Sequence, residues 1–205
     1  MNDLLTVLPA TQQKNIPLLI ALHANQSSAE ASLEYCRPAT SAGWVLSLPQ
    51  SSRVDKEGKF IWNPPGANEW PVEEIRTHYS NLLNQYPIDS ENIIIGGMSM
   101  GGGLSAWMAL HGYIKVRGFI LVAPYLPYEY VEAPTMDVVN AGKLRGYVIA
   151  GEQDQPLYEF AQLFAARLRI RNIPCELVIY PNLGHDYPPD FETALLRGLE
   201  FIKSD

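Results

Sequence analysis

Two rhythms of apolar positions alternate along this chain. Short, nearly unbroken apolar runs at Ile16–Leu22, Gly43–Leu48, Asn92–Gly96, Val116–Val122, Leu144–Ala150 and Cys175–Tyr180 have the pattern of strands buried on both faces. Between them the apolar residues space out to a helical period. Val72, Ile75, Tyr79, Leu82, Leu83 and Tyr86 share one face of a helix that starts at Pro71. Leu157, Phe160, Phe164 and Leu168 do the same in a helix opened by Pro156, a residue suited to the first turn. Asp190 is placed to cap a last helix bearing Phe191, Ala194, Leu195, Leu199 and Ile202. Ser28–Cys36 reads as a short helix and Leu104–His111 as another, with Gly112 as its C-terminal cap. Leu4–Leu8 fits an edge strand ended by Pro9. This alternation predicts an α/β fold: a mostly parallel sheet of about seven strands with helices on both faces. Pro49–Asn68 and Pro124–Gly142 stand outside the rhythm, and the second, rich in Pro and Tyr, is too short for a large lid.

On such a sheet, chemistry belongs in the loops at the carboxyl ends of the strands. One strand-to-helix junction carries a specific pattern, Gly97-Met98-Ser99-Met100-Gly101, after the run Ile93-Ile94-Ile95-Gly96. Gly-x-Ser-x-Gly in that setting is a nucleophile elbow, a sharp turn that lifts a serine hydroxyl off the top of the sheet. Side chains at 97 and 101 would collide with the facing strand and helix. A serine hydroxyl needs a neighbouring base, and the chain has four histidines. His78 falls on the polar side of its helix, His111 ends the elbow helix far from its active end, and His23 is better read as holding its own loop. His185, in the loop between the last strand and the last helix, is the base that can reach Ser99. The imidazole in turn needs an acid to fix its tautomer. Asp154 follows the strand before last; Glu152 in the same loop is its nearest competitor, and Asp186 is too close in sequence to His185. The order Ser99, Asp154, His185 is the order expected of an elbow serine. The N–H of Met100 supplies one oxyanion donor, and the loop Leu22-His23-Ala24-Asn25-Gln26 the other.

Bulk properties narrow the partners. A chain of 205 residues is long enough for one well-buried core, so a single domain over 1–205 is expected. A net charge of −7 disfavours nucleic acid and anionic membrane surfaces. The one basic cluster, Arg167, Arg169 and Arg171, suits the end of a helix. No apolar run approaches the ~18 residues of a membrane span, and Met1-Asn2-Asp3-Leu4-Leu5 lacks the basic and apolar regions of a signal peptide. Cys36 and Cys175 give neither a disulfide framework nor metal-ligand spacing. A cytoplasmic protein with no metal is the expectation.

Taken together, Leu22-His23-Ala24-Asn25, Gly97-Met98-Ser99-Met100-Gly101-Gly102, Gly151-Glu152-Gln153-Asp154 and Leu183-Gly184-His185-Asp186 resemble a small α/β-hydrolase of the phospholipase/carboxylesterase and dienelactone-hydrolase-like group. With the strand and helix order, the resemblance spans Ile16 to Ile202. It implies a carboxylesterase-type serine hydrolase that needs no cofactor and cleaves small-molecule esters through an acyl-enzyme. The expected assembly is a monomer or homodimer. Alternatives are a thioesterase, a peptidase-like hydrolase of the same fold, or a non-catalytic binding protein, which would be expected to have lost Ser99, Asp154 or His185. Two departures stand out. Ala24 occupies a position where the family carries glycine, which makes Asn25 N–H the preferred second oxyanion donor over Ala24 N–H. The sheet is also expected to be trimmed at its N-terminal edge relative to the family's eight strands. Trp62 with nearby Trp70, Met98, Tyr125, Tyr128, Tyr130 and Tyr187 could wall a pocket for a small or medium acyl or aryl group; the competing reading is that each aromatic buries its own loop.

Overall fold

The structure is a computed structural model that describes residues 5–10, 14–62, 71–126 and 144–204. Seven strands, β1 (Leu5–Val7), β2 (Ile16–Leu22), β3 (Val45–Leu48), β4 (Ile88–Met98), β5 (Gly118–Val122), β6 (Arg145–Gly151) and β7 (Cys175–Tyr180), form one sheet in the order β1-β3-β2-β4-β5-β6-β7. All neighbours are parallel except β1, which runs antiparallel along β3 at the edge. The helices among the described residues are α1 (Ala29–Cys36), α2 (Pro38–Ser41), α3 (Val72–Gln85), α4 (Met100–Leu110), α5 (Leu157–Ile170) and α6 (Phe191–Lys203). None of them is long and apolar enough to cross a membrane.

The unbroken apolar runs follow from burial on both faces. In β2 and β4, Leu18, Ile20, Leu22, Ile93 and Ile95 point into one core layer with Ile75 and Leu82 of α3, Leu104 and Met108 of α4, and Phe164 and Leu168 of α5. Leu19, Ala21 and Ile94 point the other way, against Ala29 and Cys36 of α1 and Phe191, Leu195, Leu199 and Ile202 of α6. The pairing Leu18↔Ile93, Leu19↔Ile94, Ile20↔Ile95 keeps both layers in step, because a slip of one residue would exchange the faces.

Local chemistry sets most of the ends. Ser28 caps α1, its Oγ accepting from the N–H of Ala31 at 3.1 Å. Gly112, at φ 64°, ends α4 with bonds from its own N–H to the Ala109 carbonyl and from Tyr113 N–H to the Met108 carbonyl, the two bonds of a Schellman motif. The helix α2 was not read from the sequence, the ends of β3, β5 and β6 shift by one or two residues, and three further differences have a clear physical cause. α4 begins at Met100 rather than Leu104, directly after the serine turn. β4 extends back to Ile88 through the polar Asp89-Ser90-Glu91, which pairing with β2 holds across a bulge and which an apolar run cannot reveal. Asp190 occupies the N-cap of α6 without bonding it; its carboxylate instead meets the Tyr180 hydroxyl, whose pKa burial and that contact push up to about 12.

Chain order reverses direction across the sheet between β2 and β4, since β3 lies on one side of β2 and β4 on the other. A crevice opens at the carboxyl ends of strands at such a switch point. The loop after β2 and the turn after β4 meet there.

Candidate active site

Ser99 occupies the turn between β4 and α4 at φ 54°, ψ −118°, a conformation that costs a non-glycine residue of order 1–3 kcal/mol. Its surroundings hold it there. The Ser99 N–H donates to the Val122 carbonyl at 2.9 Å, and the Ser99 carbonyl accepts from Tyr125 at 2.8 Å and Gly103 at 3.0 Å. The flanking glycines are required by close approach. A Cβ on Gly97 would lie 2.8 Å from the Gly101 carbonyl carbon, and one on Gly101 would lie 2.8 Å from that of Leu22 and closer still to the carbonyl oxygens of Leu22 and His23. The first turn of α4 therefore sits directly against the loop after β2.

Two further loops reach the serine. His185 Nε2 lies 2.9 Å from Ser99 Oγ, and His185 Nδ1 lies 2.8 Å from Asp154 Oδ2. A carboxylate only accepts, so Nδ1 carries the proton and Nε2 receives the serine hydroxyl. The side chain of Asp154 is about one-tenth exposed and that of His185 more than a third: the acid is withdrawn from water and the base faces it. The two loops are fastened backbone to backbone. Gln153 N–H donates to the Leu183 carbonyl at 2.9 Å and Glu152 N–H to that of Tyr180 at 3.0 Å. Gly151 passes so near Leu183 and Gly184 that a Cβ would meet the Gly184 oxygen at 2.6 Å. Glu152 is exposed, and the Asp186 carboxylate accepts from the Tyr187 N–H; neither is the partner of the imidazole. Cys36 and Cys175 are buried, and desolvation pushes both thiols up to about 12, far from a reactive thiolate.

The loop after β2 is as closely held. His23 is fully buried. Its Nδ1–H donates to the Ala24 carbonyl at 2.8 Å, while Nε2 accepts from Ser51 N–H at 3.2 Å and lies 3.0 Å from Gln50 Nε2. Burial pulls its pKa below 6.5, against smaller opposing effects of the Ala24 carbonyl and the Glu74 charge, and the ring acts as a neutral tie. Asn25 Oδ1 accepts from Trp62 N–H at 2.8 Å. Among the described residues, the main-chain N–H groups of Asn25 and Met100 have no hydrogen-bond partner.

The aromatic wall read from the sequence is only partly there. Trp62 is a correction: it is fully buried, its indole N–H donating to the His23 carbonyl at 2.7 Å, and it presents no face to a ligand. Met98 is 8% exposed and packs in the core layer beneath the site. Tyr187 is half-buried and stacked on Tyr35 at 3.9 Å, with its hydroxyl facing Ser32 and its pKa pushed up by burial. Tyr125, 42% exposed beside the serine, is open to solvent. Trp70, Tyr128 and Tyr130 lie outside the described residues. The sequence reading also missed the strap after β5, where Ala123 takes φ 41° and its N–H bonds the Ile149 carbonyl; an alanine before a proline carries no signal for that shape.

No family model matches the chain. Acyl-protein thioesterase 1 of Mycosarcoma maydis is 26% identical over 125 residues, covering 58% of this chain and 52% of that protein. Among solved structures, an uncharacterised protein from Bacillus cereus ATCC 10987 matches 94% of this chain and 61% of its own, at 33% identity and a TM-score of 0.83. Esterase PE8 matches over 98% of both chains at 15% identity, with a TM-score of 0.79. The match thus spans about half the length of the thioesterase and less than two thirds of the Bacillus protein. With the sheet order and the elbow, these likenesses identify the fold as that of the α/β-hydrolases.

Proposed function

We propose that the chain is a serine hydrolase that cleaves carboxylic esters of small or medium acyl and aryl groups. The observation that carries this reading is the continuous hydrogen-bonded line from Ser99 Oγ through His185 to Asp154, 2.9 and 2.8 Å long, at a serine held in a strained turn. In the first half-reaction Ser99 Oγ attacks the ester carbonyl and its proton passes to His185 Nε2. The negative oxygen that forms is held by the N–H groups of Met100 and Asn25. Asp154 stabilises the imidazolium and keeps Nδ1 protonated. Collapse expels the alcohol, which takes the proton from Nε2, and leaves an acyl-serine. A water then gives its proton to His185 and attacks the acyl carbon, releasing the acid and restoring Ser99. The exposed side of His185 gives that water a path.

A thioester in place of the ester is the second reading, and the observation that favours it is the likeness to a protein called a thioesterase. The chemistry at Ser99 is the same; only the leaving group changes. Treatment of the protein and of Ser99→Ala with a fluorophosphonate probe, followed by intact mass and assay on short p-nitrophenyl esters and acyl-thiols, tests both. Labelling and turnover in the wild type, both lost in Ser99→Ala, are the expected result. A folded wild type that takes no label refutes the enzyme reading, and the ratio of ester to thioester rates decides between the leaving groups.

A further inference from the structure

The loop after β2 has little internal structure to fix it. It holds one turn bond, Ser27 N–H to the Ala24 carbonyl at 3.2 Å, and a left-handed residue, Gln26 at φ 63°. What holds it comes from farther along the chain: Ser51 N–H donates to His23 Nε2 and Gln26 Nε2 to the Asp55 carboxylate, and residues 60–62, more than thirty positions away, add three further bonds. Gln26 N–H donates to the Phe60 carbonyl at 2.7 Å. Trp62 then grips the loop twice, its main-chain N–H on Asn25 Oδ1 at 2.8 Å and its indole N–H on the His23 carbonyl at 2.7 Å. The indole also packs on the His23 ring, centroids 4.6 Å apart, and is closed off from water. Both anchored groups lie beside the proposed donor: the Asn25 amide side chain belongs to the same residue as the N–H that would hold the oxyanion, and the His23 carbonyl abuts Gly101, next to Met100.

We infer that Trp62 is a positioning residue of the oxyanion site, and that the side chain of Asn25 serves as its anchor point rather than as a substrate contact. The inference rests on the serine-hydrolase reading above. It explains how a loop that turns at Asn25 and Gln26, with alanine rather than glycine at position 24, can present a main-chain donor in a fixed direction, since hydrogen bonds from outside the loop do the fixing. An oxyanion donor acts on charge that develops in the transition state, so loosening it lowers kcat and leaves substrate binding nearly unchanged.

Three variants separate this from a general packing role. Trp62→Phe keeps an aromatic ring and the main-chain N–H but loses the indole donor. Asn25→Ala, at a half-exposed position, removes the acceptor while keeping its own main-chain N–H; Asn25→Gln keeps a neutral amide acceptor. The readouts are kcat and KM on p-nitrophenyl acetate, inhibition by an arylboronic acid that mimics the tetrahedral adduct, and the melting temperature. Trp62→Phe and Asn25→Ala are each expected to lower kcat roughly 10- to 100-fold, with KM within about twofold and boronic-acid affinity falling in parallel. Asn25→Gln is expected to be less impaired than Asn25→Ala. Folded Trp62→Phe and Asn25→Ala variants with unchanged kcat overturn the inference while the enzyme reading stands. A wild type that neither turns over nor takes the fluorophosphonate overturns both.

Discussion

Replacing Gly101 by alanine sets two effects of opposite sign against each other at one atom. Gly101 lies in the first turn of α4, where alanine's helix propensity alone would stabilise by about 0.5–1 kcal/mol. The added Cβ, however, lands on backbone, 2.8 Å from the Leu22 carbonyl carbon and nearer to two carbonyl oxygens, where ordinary contact begins at 3.4 Å. Those atoms cannot rotate aside as a side chain would. Leu22 is fixed in the sheet by its pairing with Gly97, and His23 by Trp62 and Ser51. Overpacking of this kind costs about 1–3 kcal/mol, and contact with rigid backbone puts it toward the upper end. The contact therefore wins, with a net loss of about 1–2 kcal/mol. For a chain of this size that lowers the melting temperature by roughly 2–8 °C. The relief must come from separation of α4 and the loop, which moves Met100 N–H away from Asn25 N–H, and a misplacement on that scale reduces turnover roughly 10²-fold. Thermal melts and p-nitrophenyl acetate kinetics read both numbers. Gly184→Ala is the control: it sits beside His185, yet a Cβ there meets nothing within 4 Å, and it is expected to leave both quantities near wild type. A Gly101→Ala protein that is more stable and equally active would refute the reasoning, because the loop would then retreat freely and no preformed site would exist.

Asp154→Asn keeps the shape of the acid loop but removes the charge that orients His185; kcat is expected to fall roughly 10⁴-fold with the melting temperature within a few degrees, and a smaller than tenfold loss in steady-state assays would remove Asp154 from the mechanism. His23 gives a pH signature in stability. The unfolded chain takes up a proton near pH 6.5 that the buried native ring, with its lowered pKa, refuses, so stability is full above that pH and is lost as pH falls below it toward the native pKa. The urea midpoint is therefore expected to drop from pH 7.5 to 5.5. In His23→Gln that drop becomes shallower, with a remainder from half-buried His78, whose pKa burial also lowers; a flat wild-type midpoint over this range contradicts the neutral buried tie.

What the sequence disclosed and what it hid divide by the distance over which each feature is determined. Strands such as Ile16–Leu22 and Cys175–Tyr180 were legible to the residue because burial on both faces writes itself as a local run. Ser99, Asp154 and His185 could be picked out because each stands at a strand-to-helix junction of recognisable local chemistry, and the structure brings their side chains within hydrogen-bond reach. Trp62 could not be read correctly. An aromatic residue in an irregular loop reads equally well as a pocket wall or a buried plug, and only its contacts with residues 37 and 39 positions away decide. The polar start of β4 and the bend at Ala123 were hidden for the same reason, since their partners in β2 and β6 lie far along the chain.

The strain at Ser99 adds a constraint that no single motif expresses. Its turn is closed by β5 and the strap that follows: Val122 accepts from Ser99 N–H, the strap returns through Ala123 at φ 41°, and Tyr125 N–H donates to the Ser99 carbonyl. Two non-glycine residues in left-handed conformations thus face each other across two hydrogen bonds, each of order 1–3 kcal/mol above a relaxed backbone. Net hydrogen bonds of about 1 kcal/mol each, including Gly103 N–H on the Ser99 carbonyl and Ala123 N–H on that of Ile149, offset part of this, and the packing of β4, β5 and α4 beneath them supports the rest. The elbow is therefore a property of the whole central sheet. Leu121→Ala, a buried substitution in β5 opposite Gly97, is expected to relax the serine turn and lower p-nitrophenyl acetate turnover at temperatures well below the variant's melting transition.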